Sequence, residues 1–165
     1  MAQIAKGGYK IYIYTNDTIS VKRWVLDDNG NRIEKSEEDF PIHGFTDHAK
    51  KKIAIEIATA SDIKWAAGVL VHEATHIAQN AAEEANPNGA VLADFVKEYR
   101  AWFMREVWAK DNKVDPVMRS FRNLDGSINK KAIMAEVRKL YGDRTKYDYD
   151  PFPWEKCTGP INECD

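Results

Sequence analysis

The chain has 165 residues, 44% hydrophobic and 30% charged, enough for one buried core and too few for two comfortable domains. Its 24 basic and 26 acidic residues nearly cancel and are spread along the chain, so it lacks the field that gathers nucleic acid or anionic lipid. No stretch approaches the roughly 18 apolar residues of a membrane span, and the N-terminus lacks the apolar run and cleavage site of an export signal.

In chain order, residues 9–59 read as strands. YKIYIYT and ISVKRWVLD are rich in β-branched and aromatic residues, and the Asp-Asp-Asn-Gly run at 27–30 reads as a hairpin turn. Pro41 and Gly44 interrupt the pattern, and Lys50, Lys51 and Lys52 read as a solvated strand start. KKIAIEIAT alternates, with Ile53, Ile55 and Ile57 on one face and Lys52, Ala54 and Glu56 on the other, which predicts a strand over 52–59 with one face on a core. That strand is expected at the edge of its sheet, open to an extended peptide.

A helix over about 61–80 follows, capped by Ser61 or Asp62. Ile63, Leu70, Ala74, Ile77 and Ala81 fall on one side of it and Trp65, Val69, His72, His76 and Gln79 on the other, so it is expected to be buried. After the turn Asn86-Pro87-Asn88-Gly89, a second helix is predicted over about 90–110, then two short ones near 114–122 and 128–141. Residues 142–165 read as irregular chain. Within them Cys157 and Cys164 flank a Gly-Pro turn that suits a small disulfide loop, in an oxidising compartment, as well as it suits two free thiols. The fold class is α+β, in one domain.

Chemistry concentrates in His72-Glu73-Ala74-Thr75-His76. Side chains four apart on a helix stand on one face, roughly 5 to 6 Å apart at Cβ, which lets two imidazoles converge on one metal ion. Glu73 is rotated about 100° from His72, off the ligand face, where it can reach a water on the open side of the ion as a general base. A shuffled chain of this composition would contain HExxH less than about one time in 100. Two unpaired buried imidazoles would each need separate partners, a harder requirement than one shared ion.

A catalytic zinc needs a third protein ligand and an open fourth position. The extended pattern HExxHxxGxxH is absent, because Gln79 and Ala82 occupy its last two sites. Glu98, among Val91, Phe95 and Trp102 on the second helix, is the leading third ligand, since a carboxylate set among such residues needs a cation. Ala101 leaves room for the two helices to approach. The plain alternative for Glu98 is pairing with Arg105 or exposure to solvent; rival ligands are Asp94, Glu106, Glu83, Glu84, His43 and His48.

HEATH on one helix with EYRAW 22 residues later on the next resembles the gluzincins, zincin metallopeptidases with a glutamate ligand, over roughly residues 52–105. The resemblance implies a zincin-like fold of antiparallel strands, edge strand, active-site helix and glutamate-bearing helix. It implies Zn2+ on His72, His76 and Glu98, with Glu73 as the base in hydrolysis of a peptide or protein substrate. Trp102 stands where larger gluzincins often carry an acid, and their C-terminal helical domain has no counterpart. The chain is more similar in size to compact zincin domains of bacterial effectors and polymorphic toxins, which implies action in the periplasm or after secretion and an inhibitor or immunity protein as partner.

Asp94 is a candidate to orient a histidine, and Tyr99, Tyr141, Tyr147, Tyr149, Arg100 and Arg105 are candidates to donate to the transition state. The alternative function is a zinc-stabilised binding module or inactive zincin, in which a fourth ligand such as His43, His48 or Asp94 would close the site. An amide other than a peptide is a third option.

Overall fold

In the computed structural model, which describes residues 2–16, 18–89, 92–142, 145–149 and 152–160, the chain is α+β, with two sheets built from N-terminal strands and completed by strands after the main helices. A short helix α1 (Ala2–Lys6) leads into β1 (Lys10–Tyr14). The predicted hairpin forms between β2 (Thr18–Leu26) and β3 (Arg32–Pro41), where Asp27 accepts from the backbone N–H of Asn29 and Asn31 and Gly30 takes φ +80. A positive φ at this turn is what glycine tolerates without steric cost.

β4 (Gly44–Asp47) and β5 (Lys52–Glu56) complete the N-terminal strands. The first sheet has the order β4-β5-β1-β7, where β7 is Cys157–Pro160, with β1 and β5 parallel from Lys10 opposite Lys52 to Tyr14 opposite Glu56. The second is antiparallel, in the order β3-β2-β6, where β6 is Thr145–Tyr149.

The strand expected at the sheet edge over 52–59 is instead internal, paired with β1 on one side and β4 on the other. Both of its faces are covered. Ile53 and Ile55 join Ile11 and Ile77 in one cluster, while Ala54 packs with Tyr14, Val21 and Phe152 in another. The strand also stops at Glu56, whose carboxylate accepts from the N–H groups of Ala58 and Thr59 and starts the short helix α2 (Ile57–Ser61). Ile57 is therefore exposed. Among the described residues, the edge on this side of the sheet belongs to β4.

Asp62 caps the long helix α3 (Ile63–Ala85) by accepting from the backbone of Lys64 and Trp65. It runs five residues past Asn80, because AAEEA contains no breaker before the Asn86 turn, closed by Gly89 N–H donating to Asn86 C=O at 2.8 Å. Leu70, Ala74 and Ile77 lay α3 on the first sheet. The helix α4 (Asp94–Asp111) packs on α3, and Ala101 is fully buried where the helices meet.

The expected helix at 114–122 shrinks to one 3-10 turn, Arg119–Phe121. Pro116 supplies no N–H, and the N–H of Val117 donates to Glu106 instead of to a helix. Phe121 then packs with Ile133 and Val137 of α5 (Lys130–Tyr141), the third cluster.

The tail is not irregular throughout. β6 (Thr145–Tyr149) pairs with Val21–Val25 of β2, and β7 (Cys157–Pro160) pairs with β1, so the tail covers strand edges that would otherwise stay open. Cys157 opens β7; its expected bridge to Cys164 lies outside the described residues. No described helix is long and apolar enough to cross a membrane.

Candidate metal centre and its cavity

One turn of α3 separates His72 from His76, and their rings meet with Nε2 atoms 3.0 Å apart. Across the interface, α4 presents Glu98 between them: Oε2 lies 3.3 Å from His72 Nε2 and Oε1 3.4 Å from His76 Nε2. Ligand atoms about 2.0 to 2.1 Å from a tetrahedral ion stand about 3.3 Å from one another, so the three side chains have the spacing of a metal-binding face. Among the described residues this is the one group of three His, Cys, Asp or Glu side chains close enough to hold an ion.

Electrostatics point the same way. Glu98 Oε2 is buried and accepts no hydrogen bond, a costly state for a carboxylate oxygen unless a cation reaches it. Burial pushes the Glu98 pKa up, but the close approach and charge of His72 and His76 outweigh it and hold the carboxyl well below the usual range. For His76, burial disfavours the charged form, and Glu98 reverses the balance and raises the pKa to about 9. The trio draws in a positive charge.

Gln79 fixes which nitrogen of His76 is available. Its Nε2 donates to the backbone carbonyl of Lys97 at 3.1 Å, which turns its oxygen toward His76 Nδ1 at 3.0 Å. Nδ1 is thus committed to donating to Gln79, which leaves Nε2 as the nitrogen that faces Glu98, protonated beside the carboxylate and able to exchange that proton for a metal ion. Trp102 stands edge-on to His72 with ring centroids 6.2 Å apart.

Glu73, about 100° around α3 from His72, lies against the edge strand. Thr46 Oγ1 donates to its Oε2 at 2.6 Å, and the buried carboxylate has little freedom to rotate away. Gly44 makes this approach feasible: a Cβ there would stand 2.5 Å from Val69 Cγ1 and 2.8 Å from Glu73 Oε1. Between β4, the second sheet and helices α3 to α5 opens a cavity of about 570 Å³, lined by His72, Glu73, His76 and Glu98 together with Gly44 to Thr46, Trp102, Arg105 and Tyr141.

The rival ligands have other partners. Glu106 is fully buried and accepts from the guanidinium of Arg122 and the N–H of Val117. Glu83 pairs with Lys97, and Glu84 accepts from Asn80. His43 faces the Thr59 hydroxyl and His48 the Tyr9 hydroxyl, although both histidines line the cavity. Asp94, expected to orient a histidine or close the site, is exposed in the first turn of α4 and outside the group.

Of the expected transition-state donors, Tyr141 and Arg105 line the cavity. Tyr99 does not; it stacks on Phe103 and packs against the third cluster, because its position on α4 faces α5. Arg100 is exposed. The side chains of Tyr147 and Tyr149, like Val91, lie outside the described set.

Sequence reasoning missed Gly44, Thr46 and Gln79 as parts of the site. Gln79 carried a readable signal, since three residues after His76 it shares that histidine's face. Gly44 and Thr46 carried none, because only tertiary pairing brings β4 beside α3. Compared with known protein families, with curated proteins and with solved structures, the chain matches none.

Proposed function

We propose that the protein is a zinc-dependent hydrolase of peptide or similar amide bonds, with His72, His76 and Glu98 holding the metal and Glu73 acting as general base. The observation that supports it best is the convergence of the two imidazoles and the buried, unsatisfied carboxylate at metal-ligand spacing, with no fourth such side chain joining among the described residues. A position left to water favours a catalytic over a structural site. A zinc ion there would supply Lewis acidity and a water whose pKa falls toward about 7.

The chain's own residues divide the remaining work. Glu73, held by Thr46 and excluded from bulk water, accepts the proton of the attacking water and passes it to the departing amine. The substrate lies in the cavity along β4, an edge strand of the sheet among the described residues, so main-chain bonds supply affinity with little sequence preference. Tyr141 is positioned on the cavity wall to donate to the developing oxyanion.

The test is Glu73→Gln at equal zinc content. This change keeps shape and the bond from Thr46 but removes the base, so folding and zinc occupancy should persist while hydrolysis falls by roughly 100- to 10,000-fold. Unfolded protein and cell-envelope fractions serve as substrates, with a chelator control. A zinc-loaded parent without turnover on any amide would instead make this a metal-stabilised binding module.

A further inference from the structure

Arg105 is a charged side chain with no assigned task in the proposed chemistry. It is 6% exposed and lines the cavity, yet among the described residues no carboxylate or carbonyl takes a hydrogen bond or ion pair from it. Its recorded partner is the ring of Trp65, 4.1 Å from the guanidinium carbon. Stacking on an aromatic face steadies the plane of the guanidinium and leaves its N–H fork unspent.

The two carboxylates that feel its charge are engaged elsewhere, Glu106 by Arg122 and Glu73 by Thr46. Burial lowers its pKa to about 10, against the pull of Glu106 and Glu73, so it remains a cation at neutral pH. A buried cation without an acceptor is expensive. The surroundings are nonetheless shaped to hold it: a Cβ at Gly68 would stand 3.2 Å from Arg105 Nε, so glycine at that point of α3 gives the side chain its passage.

We infer that Arg105, backed by Trp65, is a specificity-determining subsite that binds a carboxylate of the substrate on the leaving-amine side of the scissile bond; this rests on the hydrolase reading. The direction follows from β4. His43, just before its start, lies by Trp65 of α3, with ring centroids 5.7 Å apart, and Thr46 lies by Glu73. We take the peptide to pair antiparallel to β4, which makes it pass Glu73 first and reach Arg105 with its C-terminal part. Gly68, where Arg105 crosses α3, is five residues before Glu73, about 7.5 Å along the helix, or about two residues of extended chain. Either an acidic side chain one or two residues past the cleaved bond or a free terminal carboxylate satisfies this geometry.

Three fluorescent peptides of one neutral sequence decide the matter: one with an internal glutamate and an amidated end, one without it but with a free C-terminus, and one neutral and amidated. Binding is read by anisotropy on zinc-loaded Glu73→Gln protein, and cleavage on the parent. One carboxylate-bearing peptide should bind roughly 10- to 100-fold more tightly than the neutral one, the size of a charge-assisted, partly buried hydrogen bond, and which one it is names the source. Arg105→Met in the same background should bring the ratio to about one, and Arg105→Lys should keep part of it. Equal binding of the three peptides, or none, overturns the subsite even where the parent cleaves them. So does a preference that survives Arg105→Met, or an equal loss of kcat on all three in the Arg105→Met protein, the signature of a transition-state donor. A carboxylate preference in a parent without turnover leaves the subsite standing and removes the hydrolase reading. Should Arg105→Met fail to fold, the parent's ratio and Arg105→Lys still decide.

Discussion

Two glutamates on α4, eight positions apart, show how burial assigns a side chain its task. Glu106 is fully buried and meets Arg122 and the backbone of Val117, whereas Glu98 has only the two histidines beside it and its buried Oε2 accepts no hydrogen bond. Their alanine variants should therefore fail in different ways. Removing one partner of a buried ion pair strands the other, so Glu106→Ala should lose about 3 to 5 kcal/mol in urea unfolding while the remaining folded protein retains zinc. Glu98→Ala should lose most zinc at modest cost in stability, as should His72→Ala and His76→Ala, because two ligands hold an ion far less well than three. Release of zinc by Glu106→Ala but not by Glu98→Ala would reverse the assignment. Gln79 belongs to the same scale: losing its hold on His76 Nδ1 should weaken zinc affinity roughly 10- to 100-fold in Gln79→Ala, measured against a competing chelator, and parental affinity would remove it from the site.

Between elements, the decisive contact is β4 against α3. A strand with Gly44 facing Val69 and Glu73, and Thr46 donating to Glu73, ties the sheet edge to the proposed base. Gly44→Ala should therefore cost activity beyond its effect on stability, since the added methyl must push β4 off α3 or turn the carboxylate. Activity per folded molecule, corrected by near-ultraviolet circular dichroism, checks this; full activity in a folded Gly44→Ala protein would mean that the contact gives way without consequence. Local signals made much of this layer readable. The HExxH spacing and a carboxylate on the next helix picked out His72, His76 and Glu98, the Asp-Asp-Asn-Gly run gave the β2–β3 hairpin, and Ser61 or Asp62 gave the start of α3, where Asp62 is the cap. Alternation misled at 52–59, since a small residue such as Ala54 fits under a second layer and Glu56 is buried as a cap, so a strand covered on both faces shows the same pattern as one half-covered. Pairing of β1 with β5, and of the tail with both sheets, joins residues far apart in the chain, which no local period reports.

Across the whole molecule the candidate metal site is also a joint. The sheets carry the first two apolar clusters, α4 and α5 carry the third, and Glu98 reaches from that helical part to the histidines on the sheet-bound helix. An ion bound there grips both parts in the folded state and neither in the unfolded chain, so occupancy should appear as stability. With free zinc at about a thousand times its dissociation constant the gain is about 4 kcal/mol, and a chain of 165 residues should melt about 8 to 16 °C higher with zinc than with chelator. Differential scanning calorimetry of the two forms measures the shift. Glu98→Ala should melt at nearly the same temperature in both, because without its carboxylate the ion no longer spans the helix interface. Hydrogen exchange locates the effect: chelation should speed exchange in the middle of α4, around Glu98, more than in β1 and β5, whose strands are held by the sheet. Identical melting of the parent with zinc and with chelator would mean that no ion joins the two helices.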